Sequence, residues 1–187
     1  FVNSDPEDKR ADASRDRKAD SALINALFLG SVAGEALVSE KMTEQVLALT
    51  TQELCRPIGF ARYPLDIWDG RTDRRDLKFH EEAQWSHVAP MMSVIYGDLY
   101  LRTKKKAYFE WQDFFFRRSL STVNKRWRIP EAYIVDPKTR KWVSDANEPL
   151  AWAQSVEIMA ILAMKRSLAA RLSEKAGTPP TDSHLPK

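Results

Sequence analysis

Apolar positions along this chain recur mainly at helical spacing. From Ala22, Leu23, Leu27 and Phe28 fall about one turn apart, and beyond Gly34 a second stripe runs through Leu37, Met42, Val46, Leu49 and Leu54. Together they predict a helical hairpin. Residues 81–104 predict a third helix with Trp85, Val88, Met92, Ile95 and Leu99 on its apolar face. It is kinked or begins late, because Pro90 has no N–H to give the helical ladder. Residues 105–123 predict a fourth helix carrying Tyr108, Trp111, Phe115 and Leu120, and its run Phe114-Phe115-Phe116 requires burial on more than one side. A last helix starts near Pro149, a residue suited to a first turn. It continues through Ala153, Val156, Ala160, Ile161, Met164 and Leu168.

The polar stretches set the boundaries. Residues 1–20 are charged or small without apolar periodicity, so burial cannot offset the entropy of ordering them, and they read as a linker or arm. Residues 173–187, with Gly177-Thr178-Pro179-Pro180, read as a flexible tail. The folded part is expected over residues 21–172. Within it, residues 56–79 and 124–148 are polar, proline-bearing and long, and are expected to be loops of the kind that carry sites. Long helices between such loops describe a curved array of helical hairpins. No repeat of identical units is visible.

Composition narrows the classes. A length of 187 residues allows one domain with a real core, and 43% hydrophobic residues with only 6 glycines favour packed helices. The single cysteine, Cys55, excludes an internal disulfide and paired-cysteine zinc sites, and leans an otherwise open compartment toward the cytoplasm. The 29 basic and 26 acidic residues are spread along the chain, so a net charge of +3 gives no reason to expect a nucleic-acid partner. No apolar run approaches the roughly 20 residues of a membrane span, which points to a soluble chain without a membrane partner. The chain begins Phe-Val-Asn-Ser, with no initiator methionine and no signal-peptide core, as expected of a processed or internal fragment.

Four segments carry the candidate chemistry: Arg62-Tyr63-Pro64-Leu65-Asp66, Glu82-Ala83-Gln84-Trp85, Pro130-Glu131-Ala132-Tyr133 and Leu150-Ala151-Trp152-Ala153-Gln154-Ser155. In this order and separation they resemble the second half of the glucoamylase-related glycoside hydrolases, family fifteen, which also includes the phosphorylase kinase regulatory subunits. The resemblance extends over roughly residues 20–170. It implies an all-α fold in which this chain supplies the later hairpins of a six-hairpin α/α toroid barrel. It implies an inverting hydrolase of α-glucosides, with Glu131 as general base, Arg62 and Asp66 holding glucose hydroxyls, and Trp85 and Trp152 lining or supporting the pocket. Glu82 is a second-choice pocket carboxylate, and Tyr133 offers a hydroxyl to a carboxylate or a sugar. No residue here corresponds to the general acid. The partner is therefore the complementary N-terminal half of the barrel, from the same precursor or another chain, with a carbohydrate as substrate and no cofactor. A non-catalytic scaffold or regulatory subunit of a larger complex is the alternative.

The residues themselves leave simpler roles open. Glu131 reads equally as a loop glutamate, and Arg62 with Asp66 as an internal pair closing a loop. Trp68, Trp85, Trp127, Trp142 and Trp152 offer flat faces to a pyranose ring, although tryptophan at helical spacing usually belongs to a core. Glu81 and Glu82 suit the positive end of a helix dipole. His80 and His87 lack a third ligand at suitable spacing, so no metal site is expected. The run Arg71-Thr72-Asp73-Arg74-Arg75-Asp76 reads as a hydrated loop, and Lys104-Lys105-Lys106 as a polar turn between helices.

Overall fold

A computed structural model describes residues 19–64, 66, 82–136 and 138–177. Trp68, His80, Glu81 and the run 71–76 lie outside the described residues. Five helices and a small sheet follow one another in the order α1 (Ala22–Ala33), α2 (Glu40–Leu54), β1 (Gln84–Trp85), α3 (Val88–Thr103), α4 (Lys106–Leu120), β2 (Ala132–Val135), β3 (Trp142–Ser144) and α5 (Ala151–Ala176). The chain is thus mostly helical.

The centre is α3. Twelve of its sixteen residues are buried, from Val88 through Gly97 and again at Leu99 and Tyr100, so its burial is not confined to one face. A helix apolar all round needs neighbours on every side, and α3 has them in α1, α4 and α5. The helix starts late, at Val88, which leaves Pro90 in the first turn where its missing N–H is not needed. Trp85 consequently belongs to a strand, not to a helix face. Gly97 brings α4 close, since a Cβ at this position would strike the side chain of Gln112.

On α4 the buried positions Tyr108, Phe109, Gln112, Phe115 and Ser119 form a helical stripe. The Phe115 ring stacks on Tyr96 of α3 at 5.7 Å and 7°, and meets Phe60 at 6.1 Å. Of the three consecutive phenylalanines, Phe115 is fully buried while Phe114 stays exposed. Helix α2 buries only part of the stripe its apolar residues suggest: Leu54 is buried and Val46 packs partly on the core, but Met42 and Leu49 are exposed while Thr43, Leu47 and Thr50 are buried, and Leu37 precedes the helix and is exposed. Its polar anchor accounts for this phase, since the Tyr108 hydroxyl bonds Glu40 at 2.6 Å and also Glu44, fixing which side of α2 meets α4. Ser39 caps α2 by accepting from the Met42 amide at 3.3 Å, and Gly34 closes α1 in the left-handed region at φ 75°.

Residues 124–148, expected as a loop, contain an antiparallel hairpin. Its strands pair Tyr133 with Ser144, Ile134 with Val143 and Val135 with Trp142, and β1 adds to the free side of β2 through Gln84–Tyr133 and Trp85–Ala132. The turn is held by Asp136, whose carboxylate accepts from the amides of Lys138 at 2.9 Å and Thr139 at 2.7 Å. Helix α5 begins two residues after Pro149 and continues past Ser173 to Ala176. Ala153, Val156, Ala160 and Met164 face inward, whereas Ile161 and Leu168 are exposed. Among the described residues, no helix is long and apolar enough to cross a membrane.

The close approach of α3 and α4 yields a test. Gly97→Ala is expected to lower stability by roughly 1–3 kcal/mol through overpacking against Gln112, measured by urea denaturation, while Gly97→Ala combined with Gln112→Ala recovers part of the loss.

Candidate functional site

Strand β1 is too short to stand alone, so it is held from both sides. Across from β2, the amide of Phe60 donates to the Trp85 carbonyl at 3.1 Å and the Trp85 amide to the Phe60 carbonyl at 2.7 Å. Gly59 makes this approach possible, because a Cβ there would run into the Trp85 carbonyl. Two residues beyond Phe60 the chain reaches Arg62, whose carbonyl accepts from the Ser21 amide at 2.8 Å. The Asp66 carbonyl takes the Ala83 amide at 2.8 Å. Segments distant in sequence are thereby pinned around the Trp85 indole.

Asp66 is fully buried. Its carboxylate accepts from the Arg62 amide at 3.2 Å, Arg62 Nε at 2.9 Å, Arg62 Nη2 at 2.8 Å and Trp85 Nε1 at 2.7 Å. The Arg62 guanidinium lies over the indole, 4.2 Å from a ring centroid. Burial works against its charge, but the bonds and charge of Asp66 outweigh that and hold its pKa above the ordinary value, with Tyr63 and Glu131 adding to the effect. Glu131 therefore lies within electrostatic reach of Arg62. About a third of the Arg62 side chain is exposed, and among the described residues nothing accepts from its Nη1.

The backbone at Glu131 is clamped on two sides. Its carbonyl accepts from the Ser86 amide and Ser86 Oγ, both at 3.2 Å, and Ser86 Oγ also bonds the Pro130 carbonyl. On the other side, the Glu131 amide donates to the Asn147 carbonyl at 3.1 Å while Asn147 Nδ2 donates to Glu131 Oε2. One carboxylate oxygen is thus oriented, and no bond to Oε1 occurs among the described residues. Asp145 stands behind, buried, with Oδ1 facing the Ala132 amide at 3.4 Å. Burial pushes its carboxyl up and the charge of Glu131 adds to that, against the backbone N–H groups that stabilise its charged form.

The other expected site residues fall elsewhere. Successive strand residues face opposite ways. Gln84 accordingly turns away from Trp85, accepting from the amides of Ile58 and Gly59 at 2.6 and 3.1 Å. Glu82 pairs with Arg56 in a cleft of about 280 Å³ walled by Pro57, Val135, Arg140 and Trp142. The Tyr133 hydroxyl donates to the Thr122 carbonyl at 2.9 Å, tying β2 to the end of α4. Trp152 sits in the first turn of α5, 47% exposed. The fold brings Arg62, Asp66, Trp85 and Glu131 together and assigns Glu82 and Tyr133 to other contacts.

Ser86, Asp145 and Asn147 stand beside the candidate site without having been singled out in the sequence, and His87, weighed there only as a metal ligand, joins them. Ser86 and His87 directly follow Trp85, and Asp145 and Asn147 precede the Leu150-Ala151-Trp152 segment, so adjacency to the motifs was the available signal. Among the described residues, no group of three or more potential metal ligands is assembled.

His87 lies edge-on to Trp85, with ring centroids 6.0 Å apart, and its Nδ1 is buried without a partner. Burial, and then the charge of Arg62, push it down to about 4. The folded state is neutral where the unfolded chain takes up a proton near pH 6.5. Stability is therefore complete above pH 6.5 and falls as the pH drops toward 4, by up to about 3 kcal/mol. Denaturation curves between pH 7 and 4 check this, and His87→Leu is expected to flatten the dependence across that window.

Comparison with known proteins finds no protein family, no curated protein and no solved structure that this chain matches.

Proposed function

We propose that the chain is part of an inverting glycoside hydrolase acting on α-glucosides, in which Glu131 is the general base and Arg62 binds a hydroxyl of the glucosyl unit. The observation that carries the reading is the convergence of Arg62, Asp66, Trp85 and Glu131, from three separate segments, around two groups left open to a ligand: Arg62 Nη1 and Glu131 Oε1. A guanidinium held over an indole and fixed by a buried carboxylate is a preorganised hydroxyl donor. Asp66 then acts by orienting Arg62, since donors already surround its carboxylate.

Inversion requires a base that takes a proton from water as that water attacks the anomeric carbon, and an acid on the opposite face that protonates the departing oxygen. Asn147 holds Glu131 Oε2 and leaves Oε1 to accept the water proton. The acid comes from the complementary N-terminal half of the barrel. Exposed apolar residues support such a partner: Val32 on α1 lines a groove shared with Leu162 and Met159 of α5, and Leu29, Val32, Ile158 and Leu162 are each 46% to 59% exposed. In this reading the five helices are the later hairpins of the α/α toroid. The same flank suits the alternative, a non-catalytic subunit held in a larger complex, which differs in having no acid opposite Glu131.

Joined to its complementary half, the protein is expected to hydrolyse maltose with inversion at the anomeric carbon, followed by NMR. Glu131→Gln is expected to reduce kcat by at least a thousandfold with KM little changed. Hydrolysis unaffected by this substitution would remove Glu131 as base, and sugar binding without turnover would favour the subunit alternative. The double substitution Val32→Glu, Leu162→Glu is expected to weaken association of the halves tenfold or more in sedimentation experiments, leaving the melting temperature of the chain unchanged. An isolated chain that stays monomeric and resists association at high concentration would count against the half-barrel.

A further inference from the structure

Glu157 is a buried acid that the rest of the molecule does not neutralise. It lies on the inner side of α5, 5% exposed, where that helix meets the end of α4. Its Oε1 is 3.0 Å from Ser119 Oγ, and its Oε2 is buried without a partner. Among the described residues no charged group offsets its charge or adds to it. On α4, Arg118 turns to the Gly59 carbonyl at 3.4 Å and to the Phe60 ring, and Arg117 pairs with Asp113. On α3, Asp98 pairs with Arg102, Tyr96 stacks on Phe115 and Tyr100 bonds Glu174, while His87 before it lies against Trp85. Lys165 and Arg166 of α5 are two turns on and exposed. An ionised carboxylate with one hydroxyl donor and no counter-charge is among the costliest groups to bury.

The proton count points the same way. A serine hydroxyl has a single proton to give. Ser119 Oγ gives it to the Phe116 carbonyl, at 2.7 Å the shorter of its two contacts. The contact with Glu157 Oε1 is then a hydrogen bond only when the carboxyl supplies the proton. Protonation at Oε1 also leaves Oε2 as a neutral carbonyl oxygen, which is less costly to leave unmet than half of a carboxylate. Burial pushes the Glu157 carboxyl above its ordinary value, against the lowering effect of the Ser119 bond.

What this acid holds is the end of α4. The Ser119 carbonyl accepts from Oγ1 of the buried Thr122 at 2.7 Å and from the Thr122 amide at 3.0 Å. The Thr122 carbonyl in turn accepts from the Tyr133 hydroxyl at 2.9 Å. Tyr133 is the second residue of β2, the strand that begins directly after Glu131. A series of bonds thus runs from α5 through the end of α4 to the sheet.

We propose that Glu157 is a neutral carboxylic acid in the folded chain, donating from Oε1 to Ser119 Oγ, and that its ionisation at rising pH loosens the end of α4 and, through Thr122 and Tyr133, the strand beside Glu131. The latch does not depend on the carbohydrate reading of the site. Between the ordinary glutamate value and the raised folded one, the folded chain holds a proton that the unfolded chain has released. Stability is therefore full below the ordinary value and falls as the pH rises through the folded one. His87 acts in the opposite sense, and its part cancels when two proteins that both carry it are compared at one pH.

The test is a carboxyl carbon NMR titration of the glutamate-labelled chain from pH 4 to 9, with urea denaturation of native and Glu157→Gln protein over the same range. The glutamine amide can donate to Ser119 Oγ as the neutral acid does. The Glu157 carboxyl is expected to titrate above the ordinary glutamate value, and the amide resonances of Ser119, Thr122 and Tyr133 to move with it. In Glu157→Gln those amides hold still. The folding equilibrium constant of Glu157→Gln relative to native is expected to grow with pH, by about tenfold for each pH unit by which the Glu157 midpoint exceeds the ordinary value. A midpoint at the ordinary value, or a relative stability that does not grow with pH, overturns the neutral acid. A raised midpoint with Tyr133 unmoved overturns the latch. The native titration stands even if the variant does not fold, since the carboxyl can be assigned through its own backbone resonances.

Discussion

The carboxylate of Asp66 is the constraint on which the site depends. A fully buried negative charge survives only when its lone pairs are met by donors, and here the Arg62 amide, two guanidinium nitrogens and the Trp85 indole meet them. Neutralising it would leave Arg62 with a buried charge to solvate and release the indole N–H. Breaking one partner of a fully buried pair typically costs about 3–5 kcal/mol, and the partial exposure of Arg62 makes the cost here smaller. That cost falls on the segment joining α2 to β1, and β1 in turn supports β2 and the base of Glu131. Stability of the sheet and orientation of Arg62 are consequences of one buried ion pair.

The internal-pair and hydroxyl-binding readings of Arg62 and Asp66 are therefore not exclusive. A guanidinium has five N–H groups, and the Asp66 bonds occupy one on Nε and one on Nη2, along one edge of the fork. The Trp85 ring covers one face. What is left, the two on Nη1 and the second on Nη2, points away from that edge. Trp85 is itself only 4% exposed, so its part is to seat Arg62 and not to stack on a ligand.

Helix existence was legible in the sequence, but the choice of buried face was less so. Wherever a helix packs on more than one neighbour, as α3 does, its apolar residues need no stripe, and any assigned face covers only part of the truth. On α2 the error has the opposite origin: Tyr108 fixes the helix through Glu40 and Glu44, and a polar anchor leaves no trace in an apolar pattern. The hairpin at 132–144 carried its signal in Tyr133, Ile134, Val135, Trp142 and Val143 on either side of a turn held by Asp136. Strands this short, set among charged residues, are outweighed by the polar character of the surrounding stretch. Of the candidate site, Arg62, Asp66, Trp85 and Glu131 were legible as residue types in motifs. Ser86 and Asn147 were not, because their contribution is to the path of the backbone, which only the pairing of distant segments defines.

That pairing also fixes the backbone at Glu131 while leaving its side chain only half-buried, as the proposed base requires. On a helix, its carboxylate would be carried on a flexible stem above a surface; inside the sheet, it would be buried among partners. At the rung just past the sheet its backbone is fixed by Ser86 on one side and Asn147 on the other, while the side chain stays half-buried. Asp145, one rung inward, is buried against the Ala132 amide, and burial first, with the charge of Glu131 adding to it, raises its pKa. On the proposed hydrolytic reading, the acid therefore has to come from the complementary half and not from Asp145.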